Sequence, residues 1–424
     1  MGFAGNYLSR YAVKLPEIEF IPGVNPGQIV VIPAFDEPEL IRTLNALLAC
    51  KPAKKHTEII TVINYPENVP EDIKSSGRFL YDQVLAFARE NNSPSVSFLP
   101  VFLPDMPEKQ AGVGLARKTG MDLAVSHFEI TGKPEGIIVS FDADSVCDEN
   151  YLVTIEDHFN SHPESPGASI YYEHPVSGTD FPPKVYSFVE KYELHLRYYV
   201  QAQRYAGFPM AFHTVGSAFA VRAGAYCKQG GMNKRKAGED FYFLEKIFRM
   251  GNFTEINTTR VIPSSRPSSR VPFGTGAAVK KFLSNADKNQ LTTYDPKAFR
   301  DIKKLLDAVP ELFIKNTDAI PGVIHNLPDP VSQFLQQHNF PMLLEEMKHH
   351  ASNESNFLKR FYQWFTGFRM MRFLNDNHPV PYAKIPVEKA AAELLIMLDK
   401  KTSPARSTGD LLKKYRALDR GKAS

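Results

Sequence analysis

The stretch IIVSFDADSVCDEN, positions 137–150, ends an apolar run in two carboxylates, Asp142 and Asp144, set two residues apart. Like charges this close cost free energy unless something positive stands between them. A divalent cation resolves the conflict, and hard carboxylate oxygens select Mg2+ or Mn2+. The same spacing also fits a solvated turn with helix-capping acids. A second acidic pair, Glu239 and Asp240, opens the run EDFYFLEKIF, where a helix dipole favours ionised carboxylates. Further on, RVIPSSRPSSRVPFGTG places Arg260, Arg266 and Arg270 among Ser, Pro and Gly. Guanidinium forks bind phosphate bidentately, and small residues let backbone N–H groups approach an anion. That stretch reads either as a lid over a diphosphate or as a linker with solvated arginines.

These groups need a frame. From about residue 28 to 262, short β-rich apolar runs (QIVVIPAF, TEIITVIN, SVSFLPVF, GIIVSFD and GASIYYE) alternate with helical patterns such as PELIRTLNALLAC, GRFLYDQVLAFARE and GLARKTGMDLAVSHF. Strand–helix alternation predicts an α/β fold with a mostly parallel sheet covered on both faces. Ligands bind such sheets at the carboxyl ends of the strands. That places Pro33–Glu37, Asn64 and Asp142–Asp144 on one rim. Residues 263–276 read as a loop. The apolar residues of 277–424 recur at three- and four-residue steps, which predicts a helical region. The final twenty residues are basic and polar, and read as a mobile tail.

Several stretches of 28–262 resemble the family 2 glycosyltransferases, with their nucleotide-sugar-binding GT-A fold. VVIPAFDE matches the opening strand and turn, and FDADS the D-x-D motif. GVGLARKTGMDLA resembles the Gly- and Arg-containing helix before the metal strand. GSAFAVRAGAY resembles the small-residue strand after the acceptor region. GGMNKRKAGEDFYFLEKI matches the E-D motif. The resemblance implies that Asp144 holds Mg2+ or Mn2+ against the donor diphosphate, and that Asp142 contacts the donor's ribose or the metal through its water shell. It puts Pro33, Ala34 and Glu37 in the nucleotide pocket, with Arg117 of the preceding helix among the donor-binding residues. It makes Asp240 the catalytic base, with Glu239 beside it. Two positions depart from the pattern. Asn64 stands where an acid usually reads the base, and Asp36 where Asn is more usual. Arg266 and Arg270 lie beyond the motifs and are assigned to the diphosphate.

Bulk properties narrow the field. The chain has 424 residues, 43% hydrophobic and 23% charged, with a net charge of +3, too small for a nucleic-acid binder. The three cysteines show no metal-type spacing, and the N-terminal stretch has no signal-like apolar core, so a reducing, cytoplasmic setting is expected. The expected domains are an extension (1–27), a GT-A catalytic domain (28–262), an Arg/Ser/Gly loop (263–276) and a helical region (277–424). The function implied is a metal-dependent, inverting transfer from a nucleotide-diphosphate sugar to a glycan or lipid-linked glycan, in the manner of cell-envelope polysaccharide synthesis. A sugar-nucleotidyltransferase is one alternative, but IPAFDEPEL lacks the Gly and Lys of a triphosphate loop. A non-catalytic sugar-nucleotide-binding module is the other. His213 reads as a packed residue rather than a metal ligand. Phe357, Phe361, Trp364, Phe365, Phe368 and Met371 fall on one face of a single helix, read as core in preference to a peripheral membrane contact.

Overall fold

The computed structural model describes the chain except for residues 1, 19, 22, 269–273, 285–289, 317–318, 399–406 and 422–424. It divides into two compact units, Met1–Val189 with Thr214–Ser284, and Glu190–His213 with Asn285–Ser424.

The first unit is α/β. Its elements run α1 (Gly5–Arg10), β1 (Gln28–Ala34), α2 (Leu40–Leu48), β2 (Thr57–Pro66), α3 (Glu71–Asn91), β3 (Val96–Met106), α4 (Val113–Ile130) and β4 (Ile137–Ser140). There follow β5 (Val146–Cys147), α5 (Tyr151–Ser161), β6 (Gly167–Tyr172), the start of α6 (Pro183–Tyr205), β7 (Phe219–Arg222), α7 (Ala223–Lys228), α8 (Glu239–Phe248), β8 (Thr254–Ile262) and α9 (Thr275–Ser284). One eight-stranded sheet has the order β3-β2-β1-β4-β7-β6-β8-β5. Strands β1 to β4 pair in parallel, as the alternating pattern predicts. Every residue of β1 and of β4 is buried, so both faces of the sheet centre are covered. Ile29, Val30, Val31 and Ile32 are fully buried, each contributing roughly 1.5–3 kcal/mol of apolar transfer.

Register sets the rim. Ala34 lies beside Ile63 and Val31 beside Ser140, so the carboxyl ends of β1, β2 and β4 come out together. Strand β7 pairs antiparallel with β4, Phe219 against Ser140. Its amino end therefore arrives at that same rim, bringing the chain around Gly216 to it.

The second unit carries the rest of α6 and then β9 (Thr292–Thr293), α10 (Pro296–Ile314), α11 (Ile320–His325), α12 (Asp329–Gln337), α13 (Phe340–His349), α14 (Glu354–Trp364), α15 (Gly367–Asp376), β10 (Ile385–Pro386), α16 (Val387–Met397) and α17 (Thr408–Asp419). Helices dominate, as periodicity predicts. The single helix expected over the aromatic stretch is two. Helix α14 stops at Trp364, Thr366 is extended, and α15 starts at Gly367. The break turns the second face: Met370, Phe373 and Leu374 are buried, while Phe368 and Met371 are only half-buried. Trp364 is 7% exposed and packs on Phe340 with centroids 4.8 Å apart, so its face is core. No helix among the described residues is long and apolar enough to cross a membrane.

Two boundaries differ from the sequence reading. Residues 190–213, expected inside the catalytic domain, belong to the helical unit. The polar C-terminal stretch, expected to be mobile, holds a packed helix as far as Asp419. One buried carboxylate explains both. Asp419 accepts from Arg197 and Gln201 of α6, and from His213 Nε2 at 3.0 Å. Arg197 and Arg416 meet again on Glu193, at 2.8 and 2.7 Å. His213 is thus a packed residue, as expected. Burial alone would raise the Asp419 carboxyl, but His213, Arg197 and Arg204 outweigh it and hold it below the usual range. Asp419→Ala would leave the buried Arg197 with Glu193 but without its second carboxylate, and would remove the acceptor of Gln201 and His213. It should cost about 3–5 kcal/mol, read as a lowered urea midpoint in the second unit's transition.

Candidate active site

Helix α4 is buried almost all round, and it carries Arg117 into the interior at 2% exposure. A buried guanidinium must have its donors satisfied. Arg117 Nη2 donates to Asp142 Oδ1 at 2.8 Å and Nε to Glu239 Oε1 at 3.2 Å. Nη1 donates to Ser140 Oγ at 2.5 Å and to the Gly216 carbonyl at 3.1 Å. Ser140 Oγ also donates to that carbonyl, at 2.6 Å. Burial works against the Arg117 charge, yet Asp142 and then Glu239 more than compensate, so it stays protonated.

Asp240 adjoins this cluster. Its Oδ1 accepts the Phe241 N–H at 2.7 Å. A Cβ on Gly216 would meet Asp240 Oδ2 at 3.1 Å and Arg117 Nη2 at 3.2 Å, so only glycine lets both groups approach comfortably. Part of the Asp240 surface stays open, but burial is still the main cause that moves its carboxyl. Burial, then the Glu239 carboxylate, push it up to about 7. The loop that delivers the acidic pair is seated on the start of α4. A Cβ on Gly114 would lie 2.1 Å from the Arg235 carbonyl oxygen, which explains the glycine there.

A second cluster lies at the β1 and β4 tips. Arg266 pairs with Glu37, and its Nη2 is 3.8 Å from Asp144 Oδ2. Glu37 Oε1 also accepts the Glu39 N–H at 2.9 Å. Helix α2 is tied to the D-x-D turn by Thr43 Oγ1, which donates to the Ala143 carbonyl at 2.8 Å. Asp36 has φ +45°, and among non-glycine residues Asp and Asn tolerate that left-handed conformation best. Either residue therefore suits the turn.

The structure brings Arg117, Asp142, Glu239 and Asp240 together, and joins Glu37, Asp144 and Arg266. Pro33 and Ala34 end β1 with buried side chains, leaving Phe35 and Asp36 as the more open part of that turn. Asn64 is buried near the end of β2, just before a register shift. Arg270 lies outside the described residues. Arg260 is in β8, bonded to Asp148 and Glu173 at 3.0 and 2.9 Å. Ser140 and Gly216 were not singled out from sequence. The small residues around them were visible, but not their shared carbonyl contact.

Among the described residues, no group of three or more His, Cys, Asp or Glu side chains could cage a metal ion. Mg2+ commonly takes only one or two carboxylates, with substrate phosphates and water completing its shell. Asp144 and Asp142 are carboxylates of the hard-oxygen kind such an ion takes.

The raised Asp240 carboxyl makes stability depend on pH. An unfolded Asp titrates near 3.9. Between about 4 and 7 the folded state keeps a proton that the unfolded state has lost, so stability falls as pH rises through this window. Asp240→Asn removes the effect. Its melting temperature should exceed that of the parent by a few degrees at pH 8 and match it near pH 4. An unchanged pH slope in melting scans contradicts the assigned burial.

No protein-family profile and no curated protein matches the sequence. Solved structures that align with it include S. aureus TarS 1-349 in complex with UDP, at 12% identity and TM-score 0.39, covering 80% of this chain and 91% of that one. TarS 1-349 with UDP-GlcNAc aligns at 12% and 0.39, covering 93% and 92%. The mannosyltransferase PcManGT from Pyrobaculum calidifontis, in complex with GDP-Man and Mn2+, aligns at 15% and 0.37, covering 84% and 93%. Likeness this low leaves function to the chain's own side chains.

Proposed function

We propose that this chain is a glycosyltransferase that moves a sugar from a nucleotide-diphosphate sugar to an acceptor hydroxyl, with inversion. The observation that supports the reading best is the cluster at the strand rim. One carboxyl, Asp240, is held near neutral pH beside carboxylates fixed by the buried Arg117.

General bases work best when their pKa lies near the operating pH. Ionised Asp240 would take the proton of the acceptor hydroxyl as that oxygen attacks the anomeric carbon. The bond from that carbon to the diphosphate oxygen breaks, and its electron pair leaves with the diphosphate. A single displacement needs one base and no protein nucleophile, and it inverts the centre. Glu239 would help hold the base in place, and Arg117 fixes Glu239 and Asp142 in turn. Asp144 and Asp142 would hold Mg2+ or Mn2+. When bound, that ion supplies Lewis-acid stabilisation of charge growing on the leaving diphosphate. Arg266 and Arg270 would grip the phosphates, while Pro33 and Ala34, through the turn they lead into, would line the nucleotide side with Glu37 and Asn64. The acceptor in this reading is a glycan or lipid-linked glycan, the setting is cytoplasmic, and the catalytic domain is the part of 28–262 that lies outside residues 190–213.

Two substitutions separate the roles. Asp144→Ala should abolish the Mn2+-dependent part of nucleoside diphosphate binding in calorimetry while the melting temperature is kept. Equal affinity with and without Mn2+ in the parent would remove the metal from the reading. Asp240→Asn should lower kcat by roughly 10²-fold or more, with donor affinity nearly unchanged. Near-normal turnover would leave Asp240 as a helix-start acid.

A further inference from the structure

Cys50 and Cys147 are 97 positions apart in sequence, yet their Sγ atoms lie 3.6 Å apart. Cys50 follows the end of α2 and Cys147 ends β5. The two segments are held side by side, with the Lys51 N–H donating to the Glu149 carbonyl at 2.7 Å. The Cys50 sulfur also faces the carbonyls of Ala46 at 3.4 Å and Asp148 at 3.8 Å. Both cysteines are free thiols. An S–S bond is about 2.05 Å long, so the sulfurs must close by about 1.5 Å, a small χ1 adjustment when the backbones already adjoin.

We propose that Cys50 and Cys147 are a reversible disulfide pair, a modification site whose oxidant is a small hydroperoxide. The two thiols are not equivalent. The Cys147 hydrogen bond lowers the Cys50 thiol, while Cys147 itself is raised, so Cys50 is the better thiolate. Cys50 is 9% exposed and Cys147 half-buried, which admits a molecule of peroxide size and disfavours a bulky one. The Cys50 thiolate attacks one peroxide oxygen, the O–O bond breaks, and hydroxide leaves, giving a sulfenic acid. The Cys147 sulfur then attacks the Cys50 sulfur, and the sulfenic oxygen leaves as water with the Cys147 proton. In sum, two thiols and one hydrogen peroxide give one disulfide and two waters. A thiol donor reverses the step. Cys227 is excluded, because burial and then Asp122 push its thiol up to about 12. The bond would fasten the end of α2 to β5. The Asp142–Asp144 turn lies between these points and is already held to α2 by Thr43. The inference is independent of the transferase reading.

The test uses the full chain, reduced and then exposed to graded hydrogen peroxide, with remaining thiols alkylated and peptides mapped by mass. Two of three thiols should be lost. The Cys50 and Cys147 peptides should appear joined, two hydrogens lighter, and dithiothreitol should restore them. Cys227 should be alkylated throughout. In Cys147→Ser, dimedone should tag Cys50. Survival of all three thiols, a bond through Cys227, or cross-links only between chains would overturn the pairing. The parent peptide map decides this even if the variant does not fold.

Discussion

A guanidinium shut away from water governs the candidate site. Arg117 cannot be left unsatisfied inside α4, and its partners come from separate parts of the chain: Ser140 and Asp142 at the end of β4, the Gly216 carbonyl before β7, and Glu239 at the start of α8. Three chain segments are thereby pinned to one side chain. The charge balance has a consequence. One positive group serves Asp142 and Glu239 by direct contact, while a third carboxyl, Asp240, sits next to them in the same enclosed region. Burial first, and then the Glu239 carboxylate, hold the Asp240 carboxyl near neutrality, and the Arg117 charge only partly offsets them. A helix-start acid in water would show nothing of the kind. Enclosure beside Glu239 is therefore what turns an ordinary acidic pair into a candidate base, and Arg117 holds Glu239 in place there.

The same helix carries a second polar station. One residue on from Arg117, Lys118 pairs with Asp122 at 3.1 Å, and Asp122 accepts from Tyr7 at 2.6 Å, Tyr226 at 2.8 Å and the Val13 N–H at 2.9 Å. That cluster binds the N-terminal segment to α4. A helix buried on nearly every side is thus positioned by polar contacts of opposite sense, one set toward the strand rim and one toward residues 7–13. The N-terminal extension is part of the packing of α4, and so contributes to holding Arg117 in place.

The sequence made some of this legible and hid the rest for physical reasons. Runs such as QIVVIPAF and GIIVSFD are β-branched and apolar, and a strand buried on both faces leaves that signal in any local window. The carboxylates of 142, 144, 239 and 240 were visible as types and spacings. Their sharing of Arg117 was not, because it depends on β7 returning antiparallel. Local periodicity also ran across the break at Thr366–Gly367, since the apolar steps continue on either side of it. Cys50 and Cys147 read as distant because spacing along the chain says nothing about which strand neighbours which helix. The tail misled for a different reason. Its composition is polar, but its one buried carboxylate, Asp419, meets the cations of a helix some two hundred residues earlier.

The contact among Arg266, Glu37 and Asp144 bears on how donor and cation would enter. Without them, the guanidinium already stands beside the two carboxylates that crowd the tips of β1 and β4, and partly neutralises them. A divalent cation at Asp144 would take over that neutralisation and would repel Arg266. A diphosphate arriving with the cation would offer the displaced guanidinium four or more anionic oxygens in place of the carboxylates. In the proposed reading the arginine would thus exchange one set of acceptors for another and would never be left without one. An exchange of this sort costs less than exposing a bare acidic pair or stranding a half-buried cation. It would also make the two proposed ligands interdependent. The cation alone would have to compete with Arg266 for the carboxylates, and the diphosphate alone would have to draw Arg266 away from them. Together each would relieve what the other disturbs.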